Sequence, residues 1–442
     1  MRRLASVGAA ALVAVLVLTA CRSDGDDGNG DGDGDGNGDG VATDFGVTEE
    51  ACPAAVNPDN GCIYLGILTD LTGPFAGFGA PLTGAQEAFW QRVNEEGGLA
   101  AEGGEAYDVD VTTYQENTGY DATEHSRLYE EMKPNILALA QTLGTPTTMA
   151  ILPDMQASDL VAAPAGYTSL FNFEDVMLES SANYCVETMN SVDYAVEEYQ
   201  VESVMAVHFE GDYGGDAAAG AQIAAEAHGL DFTAVPTAPG AEQQSEAVGR
   251  IVGESPDLVI VTTGPTELAA IVGGAAQNGF TGRFIGTNPT WNPALLESAA
   301  AEALLGLVQV GATFPNWGED TPAHQAMRAA IGEEPPDLSD GYTAGWMWQY
   351  PIKAALESAL ASGDLTRAAV RSAATSLTEV DYEGMLPAGA GNYAGGPEAQ
   401  LRETMIANPD PEAPTGLTTA ADYFVGPTAE AWEPEVCFEA LG

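Results

Sequence analysis

Ile63-Tyr-Leu-Gly-Ile-Leu-Thr-Asp-Leu-Thr-Gly-Pro-Phe-Ala-Gly-Phe-Gly-Ala-Pro-Leu-Thr-Gly-Ala-Gln86 is the stretch that decides the fold of this chain. It begins with a short apolar run, 63–68, that has the length and composition of a buried strand. A turn rich in Gly and Pro follows at 69–79, and an apolar-periodic stretch at 82–93 then predicts a helix. Strand, loop and helix in this order predict the first unit of a doubly wound α/β domain, in which the loop after the strand faces the ligand crevice.

Strand-like and helix-like segments alternate along the chain from there on. The predicted strands are 63–68, 109–114, 136–139, 160–164, 203–208, 232–235, 257–262 and 284–286, and the longest predicted helix is 341–361. The aperiodic segment 172–181 and the stretches 307–316 and 380–385 are predicted to cross between two such sets. The sequence therefore predicts two doubly wound α/β lobes with a cleft between them, lobe 1 from 57–178 and 313–380 and lobe 2 from 179–312 and 381–442.

The charge balance narrows the range of partners. The 442 residues include 66 acidic and 13 basic ones, which gives a net charge of −53. A polyanion of this kind is repelled by nucleic acid and by anionic membrane surfaces, so both are excluded as partners. The charge serves either solubility alone or adaptation to a salty medium, where screening shortens the range of self-repulsion, and we favour the second.

The N-terminus has the pattern of a targeting segment. Arg2 and Arg3 precede an apolar run, 4–18, that is too short for a comfortable membrane span, so residues 1–20 are predicted to be a signal peptide. The run ends in Leu18-Thr-Ala-Cys21, which resembles a bacterial lipobox and implies cleavage before Cys21 and lipidation of its thiol. The protein would then be anchored by lipid to the outer face of the cytoplasmic membrane; an ordinary secretory signal is the alternative.

Residues 21–56 are predicted to be a disordered, acidic tether. The part up to Gly40 is an Asp/Gly/Asn repeat with no apolar residue to bury. Within it, 33–44 approximates a calcium-binding EF-hand loop, but an Asp/Gly repeat matches that pattern by chance. The tether is therefore preferred to a metal site.

The remaining cysteines suggest two disulfides. An even number of cysteines in an exported chain is consistent with two bridges, and four cysteines allow three pairings. Two of them flank the loop Pro58-Asp-Asn-Gly61, which favours pairing these two with each other and the other two together. Four free buried thiols are the alternative, and a zinc site is disfavoured because no close Cys/His spacing is present. The favoured pairs are Cys52 with Cys62 and Cys185 with Cys437.

Catalytic motifs are missing from the sequence. It contains no HExxH, no GxSxG, no Walker-type loop and no GxGxxG after a strand, so an enzyme is disfavoured and no cofactor is predicted. His125, His228 and His324 fall on predicted helices, where exposure to solvent is expected. His208 ends a predicted strand beside the cleft, but a structural role is favoured for it as well.

The loops after four predicted strands carry residues suited to ligand binding. Such a site needs exposed backbone amides, a few hydroxyl donors and aromatic rings that enclose an apolar part. Taken singly, each of these loops is also explained by ordinary turn chemistry. Together they provide Phe78, the pair Gly144-Thr145, the run Ala165-Gly166-Tyr167, and Tyr213 at the head of a helix.

The opening stretch, with the helix end Asn94-Glu-Glu-Gly-Gly-Leu99, resembles the branched-chain amino-acid type of periplasmic solute-binding proteins of ABC importers. The resemblance covers roughly 63–384 and implies the bilobal, type I periplasmic-binding fold. In these relatives, loop hydroxyls and amides of the first lobe hold the ligand, and an acid of the second lobe pairs with its ammonium group. By resemblance Phe78 matches the aromatic residue of the opening loop, Tyr213 matches the lid tyrosine, and the positions of the first-lobe clamp are Gly144, Thr145, Ala165 and Tyr167.

Three positions depart from the family pattern. Asn288 stands where the acid is expected, Tyr167 where a small hydroxyl residue is usual, and Thr263 where an aromatic residue is frequent. An amide can donate and accept hydrogen bonds but cannot neutralise an ammonium group. The ligand is therefore left open among amino-acid-like compounds, amides and aromatic or carboxylate compounds.

The function implied by the resemblance is capture of a small solute outside the cytoplasm and its delivery to an ABC permease driven by a separate ATPase. A ligand-binding sensor subunit that acts with a separate signalling partner is the main alternative, because the same fold serves receptors. A hydrolytic surface enzyme comes third, because the sequence has no nucleophile–base pattern.

Overall fold

The computed structural model describes residues 41–101 and 104–438. The strands are β1 (Ala42–Thr43), β2 (Val47–Thr48), β3 (Gly61–Thr69), β4 (Leu99–Ala100), β5 (Ala106–Asn117), β6 (Ala138–Leu143), β7 (Ala162–Ala165), β8 (Ser203–Phe209), β9 (Asp231–Thr237), β10 (Leu258–Thr262), β11 (Arg283–Gly286), β12 (Val308–Ala312), β13 (Asp364–Leu365), β14 (Thr404–Pro409) and β15 (Leu417–Phe424). The α-helices are α1 (Ala76–Glu95), α2 (Ala122–Met132), α3 (Thr145–Ala157), α4 (Tyr184–Tyr199), α5 (Asp212–His228), α6 (Ser245–Glu254), α7 (Pro265–Gln277), α8 (Ala301–Leu307), α9 (Pro322–Ile331), α10 (Gly341–Met347), α11 (Gln349–Ala361), α12 (Arg367–Ala374) and α13 (Pro427–Ala431).

The first sheet has the strand order β4-β5-β3-β6-β7, and β2 pairs with β3 off this path. Its centre is parallel, because β3 pairs in parallel with both β5 and β6, and β6 pairs in parallel with β7. All but one residue of β3 are buried, as expected of a strand that helices cover on both faces. We call this sheet, with α1–α3 and α9–α12, lobe 1.

The second sheet has the strand order β15-β14-β12-β11-β10-β8-β9. Strands β9, β8, β10, β11 and β12 are parallel neighbours, whereas β14 and β15 are added antiparallel at one edge. We call this sheet, with α4–α8 and α13, lobe 2. The topology confirms the predicted α/β fold with two doubly wound lobes.

Residues 41–56 are not part of a tether, which corrects the prediction for 21–56. Strand β1 pairs with β13, and β2 pairs with β3, so this segment adds to lobe 1. Short strands of two residues carry too little periodicity to be detected in a sequence. The predicted signal peptide 1–20, Cys21 and the repeat up to Gly40 lie outside the described residues. In the described ranges, no helix is both long and apolar enough to cross a membrane.

The chain stays against lobe 1 beyond residue 380, where the sequence predicted its return to lobe 2. Tyr382 packs on Tyr350 of α11 with 5.6 Å between ring centroids. Glu383 forms an ion pair with Arg92 of α1, with 2.9 Å between Oε1 and Nη2. The return to the second sheet is made by β14, and nothing periodic in the irregular segment before it indicates which sheet it covers.

Two disulfides join described residues in the pairing that the sequence favoured. Cys52 is bonded to Cys62, and Cys185 of α4 is bonded to Cys437 near the C-terminus. The first bridge holds the segment that precedes β3 against that strand. The second ties the last described residues to the first helix of lobe 2.

Candidate functional site in the cleft

A partly open cavity of about 90 Å³ lies between the two lobes. Loops at the carboxyl ends of β3, β6, β7, β11 and β12 line it, together with the first turns of α4 and α5. This is the crevice where doubly wound folds bind ligands. Nine of the 23 residues that line it are aromatic: Phe75, Phe78, Tyr120, Tyr167, Tyr184, Tyr213, Trp291, Phe314 and Trp348.

The lobes touch each other through aromatic residues at this cavity. Phe75 of lobe 1 meets Tyr213 of lobe 2 edge to face, with 6.2 Å between ring centroids. Tyr213 also packs on Tyr184, with 4.8 Å between centroids, and Phe75 packs on Tyr120 at 5.0 Å. Edge-to-face pairs of this kind contribute beyond their buried area, so the contact favours the closed arrangement of the lobes.

In lobe 1 the turn between β6 and α3 presents a helix start to the cavity. Gly144 has a φ of +94°, and a Cβ on it would come 2.4 Å from a ring carbon of Tyr120, so only glycine fits there. Thr145 begins α3, which has no side-chain cap. The Thr145 hydroxyl is buried and has no hydrogen-bond partner among the described residues. An unused hydroxyl beside uncapped amides at a helix N-terminus is suited to an anionic or carbonyl oxygen.

In lobe 2, hydrogen bonds to buried residues hold the cleft loops in place. The Tyr213 hydroxyl contacts the Thr287 hydroxyl at 2.9 Å and donates to the carbonyl oxygen of Thr263 at 3.2 Å. Burial raises the pKa of Tyr213 well above its ordinary value, so the phenol stays protonated. The backbone N–H of Asn288 donates to Oε1 of buried Glu187 at 2.8 Å, which holds this loop in place.

Comparison with known proteins identifies the family of this chain. The family described as periplasmic binding protein matches residues 63–406. This chain belongs to that family. Among curated proteins, none matches it.

Solved structures of binding proteins have the same architecture. A fatty acid ABC transporter substrate-binding protein from Thermomonospora curvata is 27% identical, with a TM-score of 0.80 over 90% of this chain and 98% of that one. A branched chain amino acid ABC transporter protein from Thermus thermophilus, solved with bound valine, is 18% identical, with a TM-score of 0.71 over 84% and 98% of the two chains. An ABC transporter substrate-binding protein from Aeropyrum pernix is 15% identical, with a TM-score of 0.74 over 84% and 98%. The resemblance read from the sequence is thus confirmed: this is an extracytoplasmic solute-binding protein of the ABC-transporter type.

Most residues predicted for the site of this periplasmic binding protein lie on the cavity wall. The ones that line it are Phe78, Gly144, Thr145, Ala165, Gly166, Tyr167, Tyr213 and Asn288. Thr263 is not among them: it is fully buried behind the wall and accepts the Tyr213 hydroxyl through its carbonyl oxygen. Matching a position to a family pattern predicts which loop the residue belongs to, but it does not predict whether the side chain reaches the cavity or is buried behind its wall.

The structure adds wall residues from positions 339–348, none of which the sequence assigned to the site. Ser339 and Asp340, just before α10, line the cavity, and so do Gly341 at the start of α10 and Trp348 between α10 and α11. A single helix was predicted over 341–361, but Pro351 has no N–H for the carbonyl of Met347, where α10 ends. The break places Trp348 at the cavity, where its indole N–H donates to the Tyr167 hydroxyl.

Asp340 is the one acidic residue among those that line the cavity. It is 8% exposed, and burial raises its pKa to about 6. The signal that could have pointed to it is a short polar run, Ser339-Asp340-Gly341, directly before an apolar segment.

Two of the histidines are not exposed, which corrects the expectation for helical positions. His125 and His324 are fully buried, and burial lowers the pKa of each to about 4, so both are neutral at pH 7. His125 contacts the Thr142 hydroxyl at 3.0 Å, and His324 contacts the Thr321 hydroxyl at 2.8 Å. Both belong to the packing of lobe 1.

Proposed function

We propose that this binding protein captures one small amphipathic solute in the cleft and delivers it to an ABC permease that a separate ATPase drives. The solute has an apolar body and a carboxylate or amide head. The observation that carries the proposal is an aromatic-walled cavity with the unpartnered Thr145 hydroxyl at the start of α3. We further propose that Cys21 carries the lipid anchor.

The residues that line the cavity offer two kinds of chemistry. The rings accept an apolar body, since burying apolar surface stabilises by roughly 25 cal/mol per Å². The Thr145 hydroxyl and the free amides of the first turn of α3 accept a carboxylate or carbonyl oxygen, because the helix N-terminus carries partial positive charge. The relative from Thermomonospora curvata, named for a fatty acid, supports a ligand that combines these two parts.

Closure follows from contacts that the ligand makes with both lobes. Phe78 and Thr145 belong to lobe 1, whereas Asn288 and Trp291 belong to lobe 2. A ligand that touches both sets binds the closed arrangement more tightly than the open one, and this difference in affinity shifts the equilibrium.

Replacing Thr145 with valine is expected to weaken binding of the best ligand about ten-fold, because a hydrogen bond to a charged group contributes about 1.5 kcal/mol or more. The measurement is isothermal titration of the full chain in high salt, after a thermal-shift screen of leucine, valine, short amides, aromatic carboxylates and decanoate. Ligands that bind only the native state raise the melting temperature.

Two matched variants serve as controls for the valine variant. Thr145→Ser retains the hydroxyl and should bind nearly as well as the wild type. Thr418→Val makes the same change on exposed β15 and should leave affinity unchanged. A screen without any shift would contradict the proposed solute class, and equal affinity in Thr145→Val would remove Thr145 from the site.

Replacing Tyr213 with alanine is expected to weaken ligand binding at least ten-fold and to lower stability by about 3 kcal/mol, as truncation of a buried ring does. The ring joins the lobes through Phe75, and its loss opens a cavity at the contact. Binding is measured by titration and stability by urea unfolding. Tyr213→Phe retains the ring and should lose much less of either, and an alanine variant with wild-type affinity would contradict the role.

A further inference from the structure

We propose that the ligand of this cleft carries a protonated amine, and that Asp340 is the specificity-determining residue that binds it, with the Ser339 hydroxyl as second acceptor. This inference rests on the proposed function and deepens it. It selects amine-bearing solutes over simple carboxylic acids within the amphipathic class.

The carboxyl group of Asp340 is held by one oxygen only. The backbone N–H of Trp317 and the hydroxyl of Thr415 both donate to Oδ1, at 2.7 and 2.8 Å. The described residues donate no hydrogen bond to Oδ2. The side chain is therefore fixed in orientation and has one oxygen left for a donor in the cavity that it lines.

Ser339 supplies a second acceptor beside it. Its hydroxyl is buried, lines the same cavity and has no hydrogen-bond partner among the described residues. Buried polar groups are almost always hydrogen-bonded, so the unused Oδ2 and the adjacent hydroxyl, which can accept as well as donate, indicate a missing polar group. An ammonium group has three donors and so can donate to both oxygens, whereas a carboxylate could only accept from the Ser339 hydroxyl and would place no donor against Oδ2 of Asp340.

The charges of the residues that line the cavity also favour a ligand with a protonated amine. No Lys, Arg or His is among the described residues that line the cavity, although a buried carboxylate is usually paired. Asp340 still ionises at pH 7, since its raised pKa is about 6. The wall across the cleft offers the amide of Asn288 instead of an acid, so the negative charge of the described wall comes from Asp340 alone.

The aromatic wall suits a positive nitrogen as well as an apolar body. A cation within about 6 Å of a ring centroid is attracted to the ring face. Phe78 lies close to the segment that carries Asp340, because a Cβ on Gly341 would be 3.6 Å from a ring carbon of Phe78. Aromatic rings and a single carboxylate on one cavity wall thus suit an amine attached to an apolar group.

The test uses probes that differ only in their charged groups: L-phenylalanine, 3-phenylpropanoate, which lacks the amine, and 2-phenylethylamine, which lacks the carboxylate. A smaller set replaces the phenyl group with the side chain of leucine: L-leucine, 4-methylpentanoate and isoamylamine. Binding to the full chain is measured by titration in at least 0.5 M NaCl, because a chain of net charge −53 attracts cations unspecifically at low salt.

In at least one set, the amine-bearing probes are expected to bind the wild type at least ten-fold more tightly than the corresponding acid. Asp340→Asn should weaken the amine-bearing probes at least ten-fold and leave or strengthen binding of the acid. Asp337→Asn, three residues earlier and exposed, is the matched control and should change neither. Melting curves establish that the Asp340→Asn protein is folded.

Two outcomes overturn the inference. One is tighter binding of the acids or of decanoate than of amine-bearing probes, with further gain in Asp340→Asn; this leaves the proposed function standing. The other is wild-type affinity of Asp340→Asn for the amine-bearing probes. Failure of the proposed function looks different, because then neither these probes nor decanoate nor the amides bind.

Discussion

Replacing Cys185 and Cys437 together with serine is expected to lower the free energy of unfolding by about 5.5 kcal/mol, as a loop of this length gives in the chain-entropy model. The two residues are 252 positions apart, so their bond restricts most of lobe 2 and part of lobe 1 in the unfolded chain. The bond also holds the C-terminal segment in place, where the N–H of Cys437 donates to the Ser169 hydroxyl at 2.8 Å. That hydroxyl in turn donates to buried Asp216 of α5.

The measurement is denaturant unfolding of the double variant and of the wild type, each followed by tryptophan fluorescence. The Cys52→Ser, Cys62→Ser variant is the matched control, because its bond joins residues only 10 positions apart. Removing the short loop should cost about 2.5 kcal/mol in the same model. If the two double variants lose the same stability, loop length does not govern the effect of these bonds.

The fold could be predicted from the sequence because its parallel strands are short apolar runs with a strong signal. The run 63–68 became the centre of the first sheet, and the alternation of strands and helices fixed both lobes. The short strands β1 and β2 were missed, since their pairing depends on distant partners and not on local pattern. The single helix predicted over 341–361 is two helices in the structure, α10 and α11. The prediction missed the break because the apolar periodicity continues through Pro351.

The candidate site could be predicted only where it follows a strand. Gly144, Ala165 and Asn288 each come shortly after the end of a predicted strand, and the fold brings such loops to one crevice. Asp340 lies between α9 and α10 and Trp348 lies between α10 and α11, and only the folding of the whole chain brings these two positions to the cleft. A single sequence indicates which loops lie at the same edge of a sheet, but it does not indicate which segment, distant in sequence, packs against these loops.

Replacing Glu187 with glutamine is expected to stabilise the protein by roughly 3 kcal/mol at pH 7, because a pKa shift of one unit corresponds to about 1.4 kcal/mol. Glu187 is fully buried in the first turn of α4, and burial raises its pKa to about 8. Its Oε1 accepts the N–H of Asn288, while Oε2 has no partner among the described residues. Glutamine retains an oxygen for Asn288 and carries no charge, so the loop below the cleft stays in place.

The sign of this effect depends on pH in a way that separates it from a change in packing. Below the ordinary pKa of 4.5, native and unfolded chains both hold the proton, and Glu187 contributes nothing. Between pH 4.5 and about 8 the native chain retains a proton that the unfolded chain has lost, so stability falls as pH rises. Glu187→Gln should therefore match the wild type at pH 4 and exceed it increasingly up to pH 8, in unfolding experiments at each pH. Exposed Glu302→Gln should show no such divergence, and a constant gain of Glu187→Gln at every pH would mean that ionisation of Glu187 is not its cause.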